Sequence, residues 1–300
     1  PKFLGVEIID QIPLEKLVSF IDWSPFFNSW GLHGKYPDIF EYEKTGAQAK
    51  ELFSDAQKML KNILRDKSLK AKAIFGLFPA NSNSDDIEVY NDESRKKILV
   101  KFITLRQQLQ KREGEPNYSI SDFIAPKESK IKDYVGCFCV TTGFGTDELS
   151  KQYEDKIDDY SSIMVKALAD RLAEAFAEYL HREIRLTKWG YSSGEKLNNS
   201  ELISESYKGI RPAPGYPACP DHLEKDTIWK LLNVEESIGV KLTESKAMWP
   251  ASSVSGYYFA NEKSKYFGLG NINQDQLEDY SKRREISIEK GKKWLSPNLN

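Results

Sequence analysis

The residues best suited to chemistry crowd into one stretch, Tyr207 to Pro220, which reads Tyr-Lys-Gly-Ile-Arg-Pro-Ala-Pro-Gly-Tyr-Pro-Ala-Cys-Pro. Four prolines within nine residues remove four backbone donors and fix φ at each, so neither a helix nor a central strand fits here. A stiff, irregular loop follows, and it carries a guanidinium (Arg211), a phenol (Tyr216) and a thiol (Cys219). Its carbonyls and remaining amides suit recognition of something small; a structural crossover is the alternative that local composition leaves open.

Metal and nucleophile chemistry are the rivals. Cys137-Phe-Cys139 would put two thiols on one side of a strand, but no CxxC pair or HExxH accompanies them. Cys219-Pro-Asp-His222 has ligand-like spacing, yet lies behind two prolines in a chain with three histidines, His33, His181 and His222. A zinc-dependent hydrolase is therefore disfavoured, and no Gly-x-Ser-x-Gly elbow marks a serine nucleophile. Gly143-Phe-Gly145 lacks the third glycine of a dinucleotide fingerprint and the Gly-Lys-Ser/Thr of a P-loop, which leaves a plain strand-to-helix turn.

The elements that must hold the loop are legible from periodicity. Leu14, Leu17, Val18 and Ile21 fall at helical spacing behind Pro13 and deliver Asp22 into the aromatic corner Trp23-Ser-Pro-Phe-Phe-Asn-Ser-Trp30. There Asp22 either caps the next turn or needs a partner. An amphipathic helix is expected over 47–64 and strands over 71–77, 87–90, 98–104 and 134–141, joined by connections too short for crossover helices, hence antiparallel. The longest helical signal covers 147–185, with Ile157, Tyr160, Met164, Leu168, Leu172, Phe176, Tyr179 and Leu180 in one stripe and Ala169, Ala173 and Ala177 beside it. On pattern alone Glu174 falls on the far, solvated side. Residues 190–199 read as a loop, 224–232 as a helix, 254–259 and 265–269 as strands, and 274–284 and 287–294 as closing helices. The mixture, without regular strand-helix-strand alternation, predicts an α+β fold: one large domain with a mostly antiparallel twisted sheet flanked by helices and a long central helix.

Composition bounds the rest. Three hundred residues, 40% hydrophobic and 12% aromatic, suffice for a large core, and a net charge of −2 gives no general attraction for nucleic acid or anionic membrane. Three cysteines argue against a disulfide framework and for a reducing, cytoplasmic compartment. No apolar run approaches the roughly 20 residues of a membrane span. A chain beginning at Pro1 without methionine is expected to be a piece of something longer.

Arg-Pro-Ala-Pro-Gly-Tyr-Pro-Ala-Cys-Pro resembles the signature of the C-terminal activation domain of cobalamin-dependent methionine synthase. Similar in the same order are Asp-Trp-Ser-Pro-Phe-Phe at 22–27, Gly-Leu-Phe-Pro-Ala-Asn at 76–81, Ala-Asp-Arg-Leu-Ala-Glu-Ala-Phe-Ala-Glu-Tyr-Leu-His at 169–181, Met-Trp-Pro at 248–250 and Trp-Leu-Ser-Pro-Asn-Leu at 294–299. The resemblance implies that residues 1–300 form an S-adenosylmethionine-binding activation domain of a larger methyltransferase of methionine biosynthesis. It presents the donor's methyl group for reductive methylation of cob(II)alamin, an electron coming from a flavodoxin-like protein or flavoprotein reductase. Cobalamin (vitamin B12) would sit on another domain of the same enzyme, and zinc only in the homocysteine domain; the Asp-x-His-x-x-Gly cobalamin pattern and the adjacent cysteines of the zinc site are absent here.

The resemblance also gives the loop a ligand. Arg211 suits the carboxylate of S-adenosylmethionine. Asp22, Glu174 and Glu205 suit its ammonium and ribose hydroxyls, and the backbone around Ala213 and Gly215 offers carbonyls and an amide at close approach. Tyr216 would wall the sulfonium side, and Tyr266 with the backbone of Phe267 would meet the adenine. No catalytic acid or base is expected, since the domain's part is positioning. The rival class is a non-catalytic S-adenosylmethionine sensor or a docking module for a redox partner.

Overall fold

The computed structural model describes residues 1–299. Its centre is a six-stranded antiparallel sheet made of β1 (Gly5–Ile9), β2 (Lys70–Asn83), β3 (Asp86–Tyr90), β4 (Ile98–Ile103), β5 (Asp133–Phe144) and β8 (Ser253–Tyr258), in the order β4-β3-β2-β5-β8, with β1 paired to the first half of β2. A small ribbon, β6 (Lys241–Leu242) with β7 (Met248–Trp249), precedes β8. The helices are α1 (Glu15–Val18), α2 (Ser24–Ser29), α3 (Gly46–Asp66), α4 (Thr146–Glu154), α5 (Asp159–Glu183), α6 (Asn199–Ile203), α7 (Glu224–Leu232), α8 (Val234–Ile238), α9 (Gln274–Arg283) and α10 (Ile288–Leu295). This is the expected α+β arrangement.

Both faces of the central strands are covered, which is why β2 and β5 are almost wholly apolar rather than alternating with polar residues. Ala73, Phe75 and Leu77 of β2 and Phe138 and Val140 of β5 face a core shared with α1, α2, α3 and α5. Ile74, Phe78, Cys137 and Cys139 face the opposite core, filled by Ile228, Trp229 and Leu232 of α7 and Val234 and Ile238 of α8. A third cluster joins the end of β4 to α9 and α10 through Ile103, Leu277, Tyr280 and Leu295. The alanine strip of α5 is wholly buried. It lets the helix approach β5 so closely that Thr142 Oγ1 donates to the Ala169 carbonyl at 2.7 Å.

Pro79 does not end β2. It falls where β2 has left β1, whose last pair is Gly5 with Leu77, and has not yet taken up β3 at Ala80 and Val89, so the missing N–H costs no ladder bond on that edge. The single helix expected over 147–185 is two. Ile157 takes a left-handed φ of 59°, and Asp158 then caps α5 by accepting from the Ser161 amide at 3.0 Å. Ile157, placed by periodicity in the apolar stripe, is instead 91% exposed. The strand expected over 265–269 does not form either: those residues meet the proline loop through single bonds, such as Leu269 N–H to the Pro217 carbonyl at 2.8 Å, in place of a ladder. After the 190–199 loop, a capping box between Asn198 and Glu201 starts α6. No helix among the described residues is long and apolar enough to cross a membrane.

A β-branched residue at positive φ is strained, and Ile157 has almost no packing to lose. Ile157→Asn is expected to raise stability by roughly 0.5–1 kcal/mol, read as a higher urea midpoint at unchanged m-value.

Candidate ligand-binding site

The proline loop is held in one shape by its own turns and by the strands on either side. Gly215 N–H donates to the Cys219 carbonyl at 2.8 Å and Cys219 N–H to the Tyr216 carbonyl at 2.9 Å, closing a tight turn in which Gly215 has φ of 95°. A Cβ at Gly215 would also lie 2.3 Å from His222 Cε1, so glycine is required by both conformation and packing. Cys219 donates its thiol to the Ala213 carbonyl at 2.9 Å, and burial raises its pKa far from the thiolate range, as it does for Cys137 and Cys139. The loop then lies on β8: Tyr257 N–H donates to the Pro212 carbonyl at 2.9 Å, and the missing side chain of Gly256 leaves room for that carbonyl.

Between this loop, α5 and residues 266–267 opens a cavity of about 510 Å³, floored by Phe138 of β5 and Val254 of β8. Glu174, Glu205, Arg211, Ala213, Tyr216, Tyr266 and Phe267 all line it. Asp22 lies next door, in a second cavity of about 330 Å³ lined also by Phe20 and Arg171. The two share Glu174, Glu205 and Arg211, which form the partition between them. Gly215 lines neither. A larger hollow of about 840 Å³, beside Lys70, Phe144 and Glu235, shares no residue with this pair and mixes opposite charges on an open surface.

Charge at the partition is unbalanced toward acid. Burial raises the pKa of Glu174 against the pull of Arg171 and Arg211, and raises that of Glu205 against Arg211. A cation placed among them would restore their ordinary acidity, and its binding would be favoured to the same extent. Asp22 Oδ1 accepts from the Ser24 amide at 3.0 Å, so its capping role and its place on the cavity wall coexist. Tyr216 stands 63% exposed at the mouth, and the Tyr266 hydroxyl accepts from the Arg211 amide at 3.1 Å.

Behind Arg211 lies a buried network that sequence reasoning did not single out. Arg211 Nη1 is 2.8 Å from Glu178 Oε2, donates to the Tyr207 hydroxyl at 2.6 Å and lies 3.3 Å from His181 Nδ1. Burial, then Arg185 and Arg211, hold the His181 pKa well below the ordinary histidine value. Arg211 can only donate, so Nδ1 of the ring faces it as an acceptor, and Nε2 lies 3.4 Å from the Tyr191 hydroxyl. Arg185, wholly buried, makes bidentate bonds to Glu195 and lies 4.0 Å over the Tyr207 ring. The signal was present: Glu174, Glu178 and His181 recur every third or fourth residue along α5, and Arg185 continues the line in the π-helical turn Ile184–Lys188 that follows, a polar line inside a stretch read for its apolar stripe. Among the described residues, no group of three His, Cys, Asp or Glu side chains is placed to hold a metal ion.

Fold and site together define an α+β domain with a two-part pocket, apolar at one end and charged at the other. Residues 13–285 match the family described as the activation domain of vitamin B12 dependent methionine synthase, and the chain belongs to that family. It is similar throughout to a solved structure titled as the MetH reactivation domain bound to AdoHcy, with 52% identity and a TM-score of 0.96 over 99% of this chain and 91% of that one.

The loop is buttressed from below by Asp221 and Glu224, two buried carboxylates that share the guanidinium of Arg284. Glu224 also accepts from the Ile103 amide at 3.0 Å and the Tyr257 hydroxyl at 3.1 Å, tying α7, β4, β8 and the end of α9 together. One cation cannot balance two buried anions, and burial pushes the Glu224 pKa up to about 7, Arg284 notwithstanding. An acid whose pKa rises on folding adds stability at low pH and loses it as pH climbs from the unfolded value, about 4.3, to the folded one. In wild type, Glu224 should therefore lose about 2 kcal/mol relative to Glu224→Gln between about pH 5 and pH 7.5. Urea unfolding of both proteins across that range checks this; a gap that does not change with pH contradicts it.

Proposed function

We propose that this chain binds S-adenosylmethionine and presents its methyl group for the reductive methylation of cob(II)alamin that returns methionine synthase to its cycle. The observation that carries the reading is Arg211, a guanidinium engaged at Nη1 alone, standing between an aromatic cavity and an acidic one. S-adenosylmethionine is a molecule of that shape: a flat nucleoside, a cationic sulfur and a zwitterionic tail. That the similar solved domain is titled as holding AdoHcy supports the same ligand class here.

Each part of the donor meets a group suited to it. Tyr266 and the backbone of Phe267 take the adenine rim, and the ring of Tyr216 faces the sulfonium, whose charge an aromatic face attracts. Arg211 takes the carboxylate. Asp22, Glu174 and Glu205 serve the ammonium and the ribose hydroxyls, while Ala213 contributes backbone beside them. Gly215 acts indirectly, through the turn that only glycine permits. No side chain of the site abstracts or donates a proton in this scheme; the chain binds, orients and exposes a methyl group at the mouth marked by Tyr216. Cobalamin, carried by a neighbouring domain of the same enzyme and reduced by one electron from a flavodoxin-like or flavoprotein donor in the cytoplasm, would supply the cobalt nucleophile, and the sulfonium would leave as the neutral thioether S-adenosylhomocysteine.

Calorimetric titration with S-adenosylmethionine tests the assignment. Arg211→Ala is expected to weaken binding about 100-fold, near 3 kcal/mol. Arg211→Lys, which keeps the charge beside Glu178 but cannot bind bidentately, should fall between the two. Equal heats for all three proteins would remove Arg211 from the site.

A further inference from the structure

Arg211 has three donor nitrogens, and the structure spends only one of them on the protein. Glu178 Oε2, the Tyr207 hydroxyl and His181 Nδ1 all converge on Nη1, at 2.8, 2.6 and 3.3 Å. Among the described residues Nε and Nη2 make no side-chain hydrogen bond. A guanidinium is planar, so fixing Nη1 fixes the plane and leaves one edge, Nε with Nη2, whose two parallel N–H groups match the two oxygens of a carboxylate. The clamp is itself held rigid. Glu178 is 7% exposed, on the inner face of α5, and its other oxygen lies 3.8 Å from buried Arg185, which also covers the Tyr207 ring. A flexible arginine would be free to swing toward the acids of the partition instead.

We propose that Glu178 and Tyr207 are positioning residues that hold the Nε and Nη2 edge of Arg211 toward the ligand's carboxylate, and so make the site selective for the amino-acid tail of the sulfonium nucleoside. The inference rests on the reading of Arg211 given above. It adds that the selectivity is set by the residues that hold the arginine, Glu178 on the wall of the acidic cavity and Tyr207 beside it, rather than by the arginine alone. Their removal should cost recognition of the carboxylate while the nucleoside end keeps its own contacts.

The test compares S-adenosylmethionine with decarboxylated S-adenosylmethionine, which lacks only the carboxylate, by calorimetry on this chain. Wild type should prefer the complete ligand by roughly tenfold or more, the difference between a paired and an unpaired charge-assisted bond. Glu178→Ala should abolish most of that preference and leave the decarboxylated ligand bound within about twofold of wild type, and Glu178→Gln, which keeps an acceptor oxygen, should restore it. Tyr207→Phe retains the ring beside both arginines and guards against a variant that fails to fold; it should lose part of the preference. If the variants weaken both ligands by one factor, or neither, the positioning role is overturned while ligand binding stands. A wild-type chain that binds the two equally, or binds neither, overturns the Arg211 reading and this inference with it.

Discussion

A half-buried arginine held by a buried glutamate is the interaction on which the site depends. The Arg211 guanidinium is mostly shielded from water, and an ion so placed is costly unless its charge and its hydrogen bonds are matched. Burial works against its charge, but Glu178, Tyr207 and Tyr266 outweigh that and hold its pKa above the ordinary value. The pairing needs α5 to lie close on the sheet, which the alanine strip allows, and it needs the loop to arrive at a fixed height, which the prolines and the bonds to β8 impose. Loop, helix and strand meet at that one ion pair.

The surroundings are arranged so that the matching stops short of completion. On the protein side Nη1 is satisfied; on the cavity side the acids Glu174 and Glu205 are raised by burial. An arginine edge and two carboxylates lie side by side there, a charge pattern that suits the proposed zwitterionic ligand. The apolar half of the site, from Phe138 and Val254 to Tyr266 and Phe267, supplies the rest of the attraction without asking for charge.

The loop could be read from sequence because proline and glycine constrain the backbone locally, whatever surrounds them. Helix α7, the strands β3 to β5 and the first half of β2 were legible for a similar reason, local apolar runs and alternation. What escaped depends on partners distant in the chain. Nothing in Lys265 to Leu269 says that its bonds go to Pro217 rather than to a neighbouring strand. The break at Ile157 comes from the capping strength of Asp158, which a stripe of apolar residues hides. Glu174 looked solvated because the helical wheel does not know that the proline loop folds back over that face, and Glu178 was passed over because its partner, Arg211, is 33 residues further on. The resemblance to a known family, not the helix pattern, brought Glu174 into the candidate site.

The most direct test of the central claim is a crystal structure of this chain soaked with S-adenosylmethionine. The account predicts the ligand carboxylate on Arg211, the ammonium among Asp22, Glu174 and Glu205, and the adenine against Tyr266 and Phe267. Density for the ligand in any other hollow, or in the same cavity with its carboxylate turned away from Arg211, would contradict it.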